Sequence, residues 1–289
     1  MRSSQSSRTA LGVAVHRARH QLLDKPLVFA DPVAIRLLGS DVATRLSRER
    51  RSSDGIWSRA MRAFLVARSR CAEDALADAI ARGTRQYVVL GAGLDTFGYR
   101  NANEALRVFE VDHPATQARK RELLRTSGIV IPQSVRFAPM DFTRDDLSDV
   151  LSRAGFDASR PAFVSWLGVT PYLEVSTALA TLRIIAKLPL GSGVTFDYMI
   201  DRSLLMTIDK LAVATLAARV AAVREPFRGY FRPARLRDDL RAMGFSTLED
   251  LDRDVLNDRY FHARTDGLRL RGTGRVMTAW RGALTTGDG

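Results

Sequence analysis

A single cysteine, Cys71, stands among 289 residues. That excludes an internal disulfide, a cysteine-based metal cluster and a redox pair within the chain, and no metal site is expected. Lysine is also scarce: only Lys25, Lys120, Lys187 and Lys210 occur, so 40 of the 44 basic residues are arginine. No apolar run approaches the roughly 20 residues that a membrane-crossing helix needs. The N-terminal MRSSQSSRTALGVAVHRARHQ lacks the unbroken apolar centre of a secretory signal. A cytoplasmic protein without a membrane partner is the expectation. What the chain does have is 46% hydrophobic residues, enough to bury a substantial core. Its formal charge of +12 would attract polyanions. The arginines are spread rather than gathered in a run, however, and no basic strand is interleaved with aromatics, which argues against nucleic acid as a partner.

No linker-like stretch divides the chain, so one domain is expected, with residues 1–84 as a helical cap and 85–200 as a ligand-binding core. Residues 201–235 read as a helical cover with a lid loop, and 236–289 complete the sheet. Met1–Ser7 and Thr285–Gly289 offer no apolar surface to offset ordering entropy and read as disordered. Leu11, Val15, Ala18 and Leu22 recur at helical spacing, and Asp31-Pro32 supplies a cap and a first helical residue for a second helix. Arg48–Asp54 reads as a loop. Ile56–Arg82 reads as a long helix stopped by Gly83. From Gln86–Leu90 onward, short apolar runs (Val108–Val111, Val135–Ala138, Phe163–Leu167, Val194–Tyr198) alternate with helical patterns, the signature of a parallel sheet with crossover helices. Phe245–Leu251 and Arg275–Trp280 are placed at the end of the sheet as an antiparallel edge hairpin. The resulting fold class is a doubly wound, Rossmann-like α/β fold, mostly parallel, with an antiparallel edge and an N-terminal helical cap.

The first strand runs directly into Gly91-Ala92-Gly93-Leu94-Asp95-Thr96, where glycines permit a tight turn and a close approach to a ligand. A dinucleotide fingerprint would carry a third glycine three residues after Gly93. Position 96 is threonine, and Asp95 adds a negative charge that repels a pyrophosphate. A nucleoside bearing ammonium and sulfonium groups, S-adenosyl-L-methionine, suits that charge better. Asp95 can equally be a helix cap. Asp112 follows Gly93 by 19 residues at the end of the second strand, where an acid accepts hydrogen bonds from ribose hydroxyls. Capping of the next helix is its other open role, and Glu110, on the same side of the strand, is the alternative acid. At the end of the third strand, Asp141 suits an adenine amine and Phe142 the base. Trp166-Leu167-Gly168-Val169-Thr170-Pro171-Tyr172 lies where such sheets open toward the transferable group, and Tyr172 either lines that opening or fills the core.

Taken together these residues resemble the leucine carboxyl methyltransferase family, in its bacterial branch of S-adenosyl-L-methionine-dependent methyltransferases from actinobacteria. The resemblance runs from Arg8 to about Trp280. It rests on Arg8-Thr-Ala, Asp31-Pro32, Arg68-Ser-Arg70, Gly91–Thr96, Phe109-Glu-Val-Asp112 with Pro114, and Asp141-Phe142. It implies that Arg68 binds the methionine carboxylate, with Arg17 as a loose counterpart of a second basic residue. It also implies that the turn glycines approach the cofactor, that Asp112 holds ribose, and that Asp141 and Phe142 contact adenine. The candidate cofactor set is Arg68, Gly91, Ala92, Gly93, Asp95, Asp112, His113, Asp141, Phe142 and Trp166. Many relatives have Ala-Glu-Gly where this chain has Trp166-Leu167-Gly168, a departure that bears on a cofactor contact or on substrate alignment.

Methyl transfer is an in-line displacement at a sulfonium, so alignment and water exclusion come first and a base is optional. Candidate catalytic groups are Tyr172, Tyr198 and His262, with His113 a further base candidate. Arg228 or Arg232, in the segment from Glu225 to Pro233, is placed to orient an acidic acceptor. The expected reaction is O-methylation of a small molecule or a carboxylate. A catalytically silent nucleotide-binding or scaffold protein is the alternative, and a nicotinamide-dependent oxidoreductase is the reading that Asp95 disfavours. The methyl acceptor and the oligomeric state are left open by the sequence.

Overall fold

A computed structural model describes residues 6–48, 54–142, 144–204 and 227–282. Four helices come first: α1 (Ser6–Leu23), α2 (Pro32–Leu37), α3 (Ser40–Ser47) and α4 (Ile56–Ala81). Asp31 caps α2, accepting from the Ala34 N–H, and Pro32 takes the first helical position, as the sequence predicts. The long helix α4 ends just before Gly83, whose φ of +95° is the left-handed stop that glycine accommodates. Helix α1 begins at Ser6, inside the segment expected to be disordered. Residues 49–53 of the expected loop, 205–226 of the expected helical cover and the 283–289 tail lie outside the described residues.

The core then alternates: β1 (Gln86–Leu90), β2 (Arg107–Asp112), α5 (Pro114–Thr126), β3 (Val135–Pro139), α6 (Leu147–Arg153), β4 (Phe163–Trp166), α7 (Val175–Ile185) and β5 (Gly193–Ile200). After β6 (Tyr230–Phe231) follow α8 (Pro233–Ala242), β7 (Thr247–Leu251), α9 (Arg253–Phe261) and β8 (Gly274–Trp280). The eight strands form one sheet in the order β3-β2-β1-β4-β5-β8-β7, with β6 paired to the last two residues of β5. Strands β1 to β5 are mutually parallel, and β8 is antiparallel to both β5 and β7.

One expectation is corrected here. The sheet ends, as expected, in an antiparallel pair, with β8 between β5 and the edge strand β7, but β7 and β8 do not make a hairpin, because α9 intervenes. β3 runs one residue past the expected Val135–Ala138, to Pro139; Met140 follows the strand and donates to the Asp112 carbonyl at 2.9 Å.

Alternation along the strands splits the core between the two faces of the sheet. Val88, Leu90, Phe109 and Val111 pack against Leu147, Leu151, Ala178, Leu182, Leu236 and Leu240 of α6, α7 and α8. Tyr87, Val89, Val108 and Phe163 face the other way, onto Ala75, Leu76 and Ala79 of α4. A third cluster joins Ala14 and Ala18 of α1, Val33 and Leu37 of α2 and Leu46 of α3 to Leu94 of the glycine turn. The cap is thus packed directly on the turn. Cys71, buried on α4 with its Sγ 3.3 Å from the Tyr260 hydroxyl, has its thiol pushed up by burial to about 11. No described helix is long and apolar enough to cross a membrane.

The cap is pinned from within by charge. Arg62 meets Asp24 twice, Nε–Oδ2 at 2.6 Å and Nη2–Oδ1 at 3.0 Å, and meets Asp54 at 2.7 Å. His20 Nε2 accepts from the N–H groups of Val28 and Phe29, so its proton sits on Nδ1, 2.9 Å from Asp24 Oδ2. Burial works to raise the Asp24 carboxyl, but hydrogen bonds from His20 and Arg62 outweigh it and hold it below its ordinary 3.8. A depressed carboxyl binds fewer protons folded than unfolded. Its stabilisation is therefore complete above the ordinary value and is lost as pH falls through the lower, folded one. Arg62→Met strands two buried carboxylates and is expected to cost about 3–5 kcal/mol in urea unfolding at neutral pH. The deficit should shrink as pH drops below the ordinary Asp value; an equal deficit at all pH values would refute the assignment.

Candidate active site

Strand order reverses between β1 and β4: the chain winds outward through β2 and β3, then returns to the other side of β1. Crevices open at the carboxyl ends of strands at such a point. Here the crevice is a cleft of about 1240 Å³, larger than the roughly 300–1,000 Å³ of a typical small-molecule site and so roomy enough for two reactants.

The turn after β1 forms its floor. Gly91 and Gly93 take φ of +68° and +47°. The N–H groups of Gly91 and Ala92 donate to the Val111 carbonyl at 2.8 and 3.1 Å. A β-carbon on Gly91 would overlap the Val169 side chain, and one on Gly93 would stand 3.2 Å from the Ala10 methyl. Asp112, at the tip of β2, accepts from the Gly93 N–H and the His113 N–H, both at 2.6 Å, and so staples the turn to the neighbouring strand. Burial pushes its carboxyl up against the pull of those two donors and the Lys120 charge. The helix cap is His113, not Asp112: its Nδ1 accepts from the Ala115 N–H at 3.2 Å. Glu110 is not at the cleft. It is 1% exposed, bound to Lys120 Nζ at 2.7 Å and to the Tyr99 hydroxyl at 3.1 Å.

Asp95 accepts from the Phe97 N–H at 2.8 Å and pairs with Arg17 at 3.2 Å. Burial opposes its charge, but Arg17, Lys120 and Arg100 outweigh that and hold the carboxyl below its usual range. Its charge is therefore shared with Arg17 rather than offered wholly to the cleft. Arg17 is 4% exposed and also meets Asp31 Oδ2 at 2.6 Å and Thr96 Oγ1 at 2.9 Å. On the facing wall, Arg68 Nη1 donates to Asp197 Oδ2 at 2.6 Å, and Asp197 Oδ1 accepts from the Gly168 N–H at 2.5 Å.

Of the candidates read from the sequence, Arg68, Gly91, Ala92, Gly93, Asp95, Asp112, His113, Asp141, Phe142 and Tyr172 share this one cleft. Trp166, Tyr198, His262 and Arg232 are not brought there, nor is Glu110. Trp166 is fully buried and tilts against Phe196 at 6.4 Å in the core, because a residue at that point of a parallel strand faces the covering helices. Tyr198 is also fully buried, with its hydroxyl on Asp250 at 2.8 Å beneath β7, and burial raises its phenol further. His262 lies just beyond α9, exposed, 3.5 Å from Asp258. Arg228 lines the cleft, 3.7 Å from Glu174, whereas Arg232 binds Asp201 at 3.1 Å outside it.

Sequence reasoning passed over Asp197, His16, Arg19 and Arg271, all lining residues. Asp197 had a readable signal, an acid inside the apolar run of β5; the other three had none.

The strand order and a cleft at its reversal define the class, the Rossmann-like fold of S-adenosyl-L-methionine-dependent methyltransferases. Two solved structures share it. A DUF574 family protein from Streptomyces avermitilis has 19% identity and a TM-score of 0.55 over 92% of this chain and 97% of that one. A Thermobifida fusca protein, described by inference as a methyltransferase, has 18% identity and a TM-score of 0.54 over 89% and 97%.

Residues 10–186 match the leucine carboxyl methyltransferase family, and the chain belongs to it. Membership puts it in the class of S-adenosyl-L-methionine-dependent methyltransferases. A Bacillus subtilis protein, YktD, assigned by inference to that activity, is 32% identical over 93% of this chain and 95% of its own length. A Saccharopolyspora erythraea protein with the same inferred description is 34% identical over 70% of each.

The glycine turn offers a direct check on the geometry. Gly91→Ala combines a left-handed φ with an overlap on Val169 and is expected to cost about 1–3 kcal/mol of unfolding free energy. Gly128→Ala, equally left-handed at +61° but in open space, isolates the backbone share. Equal losses in the two variants would show that the Val169 contact does not matter.

Proposed function

We propose that the protein binds S-adenosyl-L-methionine in this cleft and transfers its methyl group to an oxygen of a small molecule, most simply a carboxylate. The observation that carries the reading is the convergence of Asp95, Asp112 and Asp141, from the tips of three neighbouring strands, with the Gly91–Gly93 turn around one hollow.

The residues present suit the cofactor's chemistry. Asp112 stands where ribose hydroxyls can donate to it, Asp141 and Phe142 offer an acceptor and an aromatic edge for adenine, and Arg68 supplies a guanidinium for the amino-acid carboxylate. The bound cofactor supplies an electrophilic methyl on a cationic sulfur. The chain's own part is to hold the two reactants in line and to keep water out, for which the apolar side chains of Met61, Phe64, Leu167 and Phe227 line the same space.

The choice of acceptor follows from what the cleft has to offer as a base. Tyr198 and His262 are elsewhere, His113 Nδ1 is engaged in capping α5, and Tyr172, the catalytic candidate that does line the cleft, carries a phenol, a group ordinarily protonated at neutral pH. A carboxylate is already ionised at neutral pH and needs no base, whereas an alcohol does. Arg228 and Arg271, both lining residues, favour an acidic acceptor.

Titration calorimetry with S-adenosylhomocysteine is the test, and absence of binding would sink the reading. Asp112→Ala is expected to weaken that binding by about tenfold or more, the worth of a hydrogen bond to a charged group, while circular dichroism stays native. Asp112→Asn, which keeps an acceptor oxygen for the Gly93 N–H, should lie between; wild-type affinity in both variants would refute the ribose assignment.

A further inference from the structure

The side of the cleft formed by the cap carries residues that the cofactor assignment does not use. His16 and Arg19, three apart on α1, share a helix face. Arg19 Nη1 donates to Ser58 Oγ at 3.3 Å, which ties that face to the first turn of α4. Trp57 and Met61 of α4 line the same cleft, as does Arg271 from the segment before β8. That segment is held close: a β-carbon on Gly274 would come within 2.7 Å of the Phe64 ring. Trp57 is 49% exposed, an apolar surface left at the mouth.

The His16 ring is only half-buried, but its Nδ1 is shielded and has no partner among the described residues. A buried, unpaired N–H is among the rarest features of folded proteins, so the ring proton of this cleft-lining histidine belongs on Nε2. Burial, followed by the charges of Arg19 and Arg62 and opposed by Asp54, lowers the imidazole to about 4. At neutral pH the ring is uncharged, a hydrogen-bond donor at Nε2 rather than a base.

We propose that His16 Nε2 donates a hydrogen bond to a carboxylate or carbonyl oxygen of the methyl acceptor and so sets how the acceptor faces the cofactor, with Trp57 and Met61 holding its apolar part. The inference rests on the methyltransferase reading above and adds to it the group that orients the second substrate. A donor, not a base, is what an acceptor that is already ionised requires. Arg271, without a hydrogen-bond or ion-pair partner among the described residues, adds positive charge to the lining of the same cleft.

The test uses the full chain, labelled with ¹⁵N-histidine and saturated with S-adenosylhomocysteine, and benzoate as the probe carboxylate. The His16 signal, identified by its loss in His16→Gln, should report the Nε2–H tautomer and shift on adding benzoate. His16→Ala is expected to weaken benzoate about tenfold, and His16→Gln, whose amide reaches the Nε2 position and restores a donor there, to recover part of that, with affinity for S-adenosylhomocysteine unchanged in both. The Nδ1–H tautomer, or a His16 signal unmoved at tens of millimolar benzoate, overturns the proposal even if the variants fold poorly, because those readings come from the wild-type chain. Failure of S-adenosylhomocysteine to bind the wild type overturns both readings, whereas binding with a silent His16 overturns only this one.

Discussion

The buried guanidinium of Arg17 holds the cap and the ligand-binding turn in one piece. It projects from α1 and meets the α2 cap residue Asp31, the turn acid Asp95 and the Thr96 hydroxyl beside it. Removing a guanidinium from water is costly and is offset only if its partners are themselves fixed. Here each is: Asp31 by the α2 N-terminus and the Thr96 hydroxyl, Asp95 by the Phe97 N–H. The turn is therefore clamped between Arg17 on one side and Asp112 on the other. Its glycines take left-handed conformations that neither neighbour could relax without losing its own bonds.

That clamp gives the cleft its electrical polarity. Acids stand at the strand tips, where Asp95, Asp112 and Asp141 face the space; the cap brings His16 and Arg19, and the segment before β8 brings Arg271. The acids at the strand tips are complementary to a cationic nucleoside. Low dielectric in a closed cleft sharpens such an arrangement, since charge interactions there are screened less than in water. Arg68 and Asp197 line the same cleft as an ion pair, and Asp197 supplies a carboxylate to the wall beside Gly168.

How far the sequence could be read depended on the range of the interaction. The turn Gly91–Thr96, the acid at the end of β2 and the Asp31-Pro32 cap were legible because each is a local device, a strand followed within a few residues by the group that ends it. The placement of α4 was legible for the same reason. Trp166, Tyr198 and His262 were misplaced because their sequence neighbourhoods do not say which face of the sheet they take or what covers that face. His16 was invisible: a histidine in an arginine-rich helix carries no mark until α4 packs against that helix.

The sequence by itself determined the alternation of strands and helices, the glycine bend and the acids at strand ends, since periodicity and backbone preference act over a few residues. The tertiary structure alone decided that β8 inserts antiparallel beside β5, that Glu110 is consumed by Lys120 while Asp112 stays at the cleft, and that the cap brings its own polar groups to the second half of the site. Those outcomes depend on pairings between residues far apart in the chain, whose energies exist only once the sheet has ordered and water has been excluded between its layers.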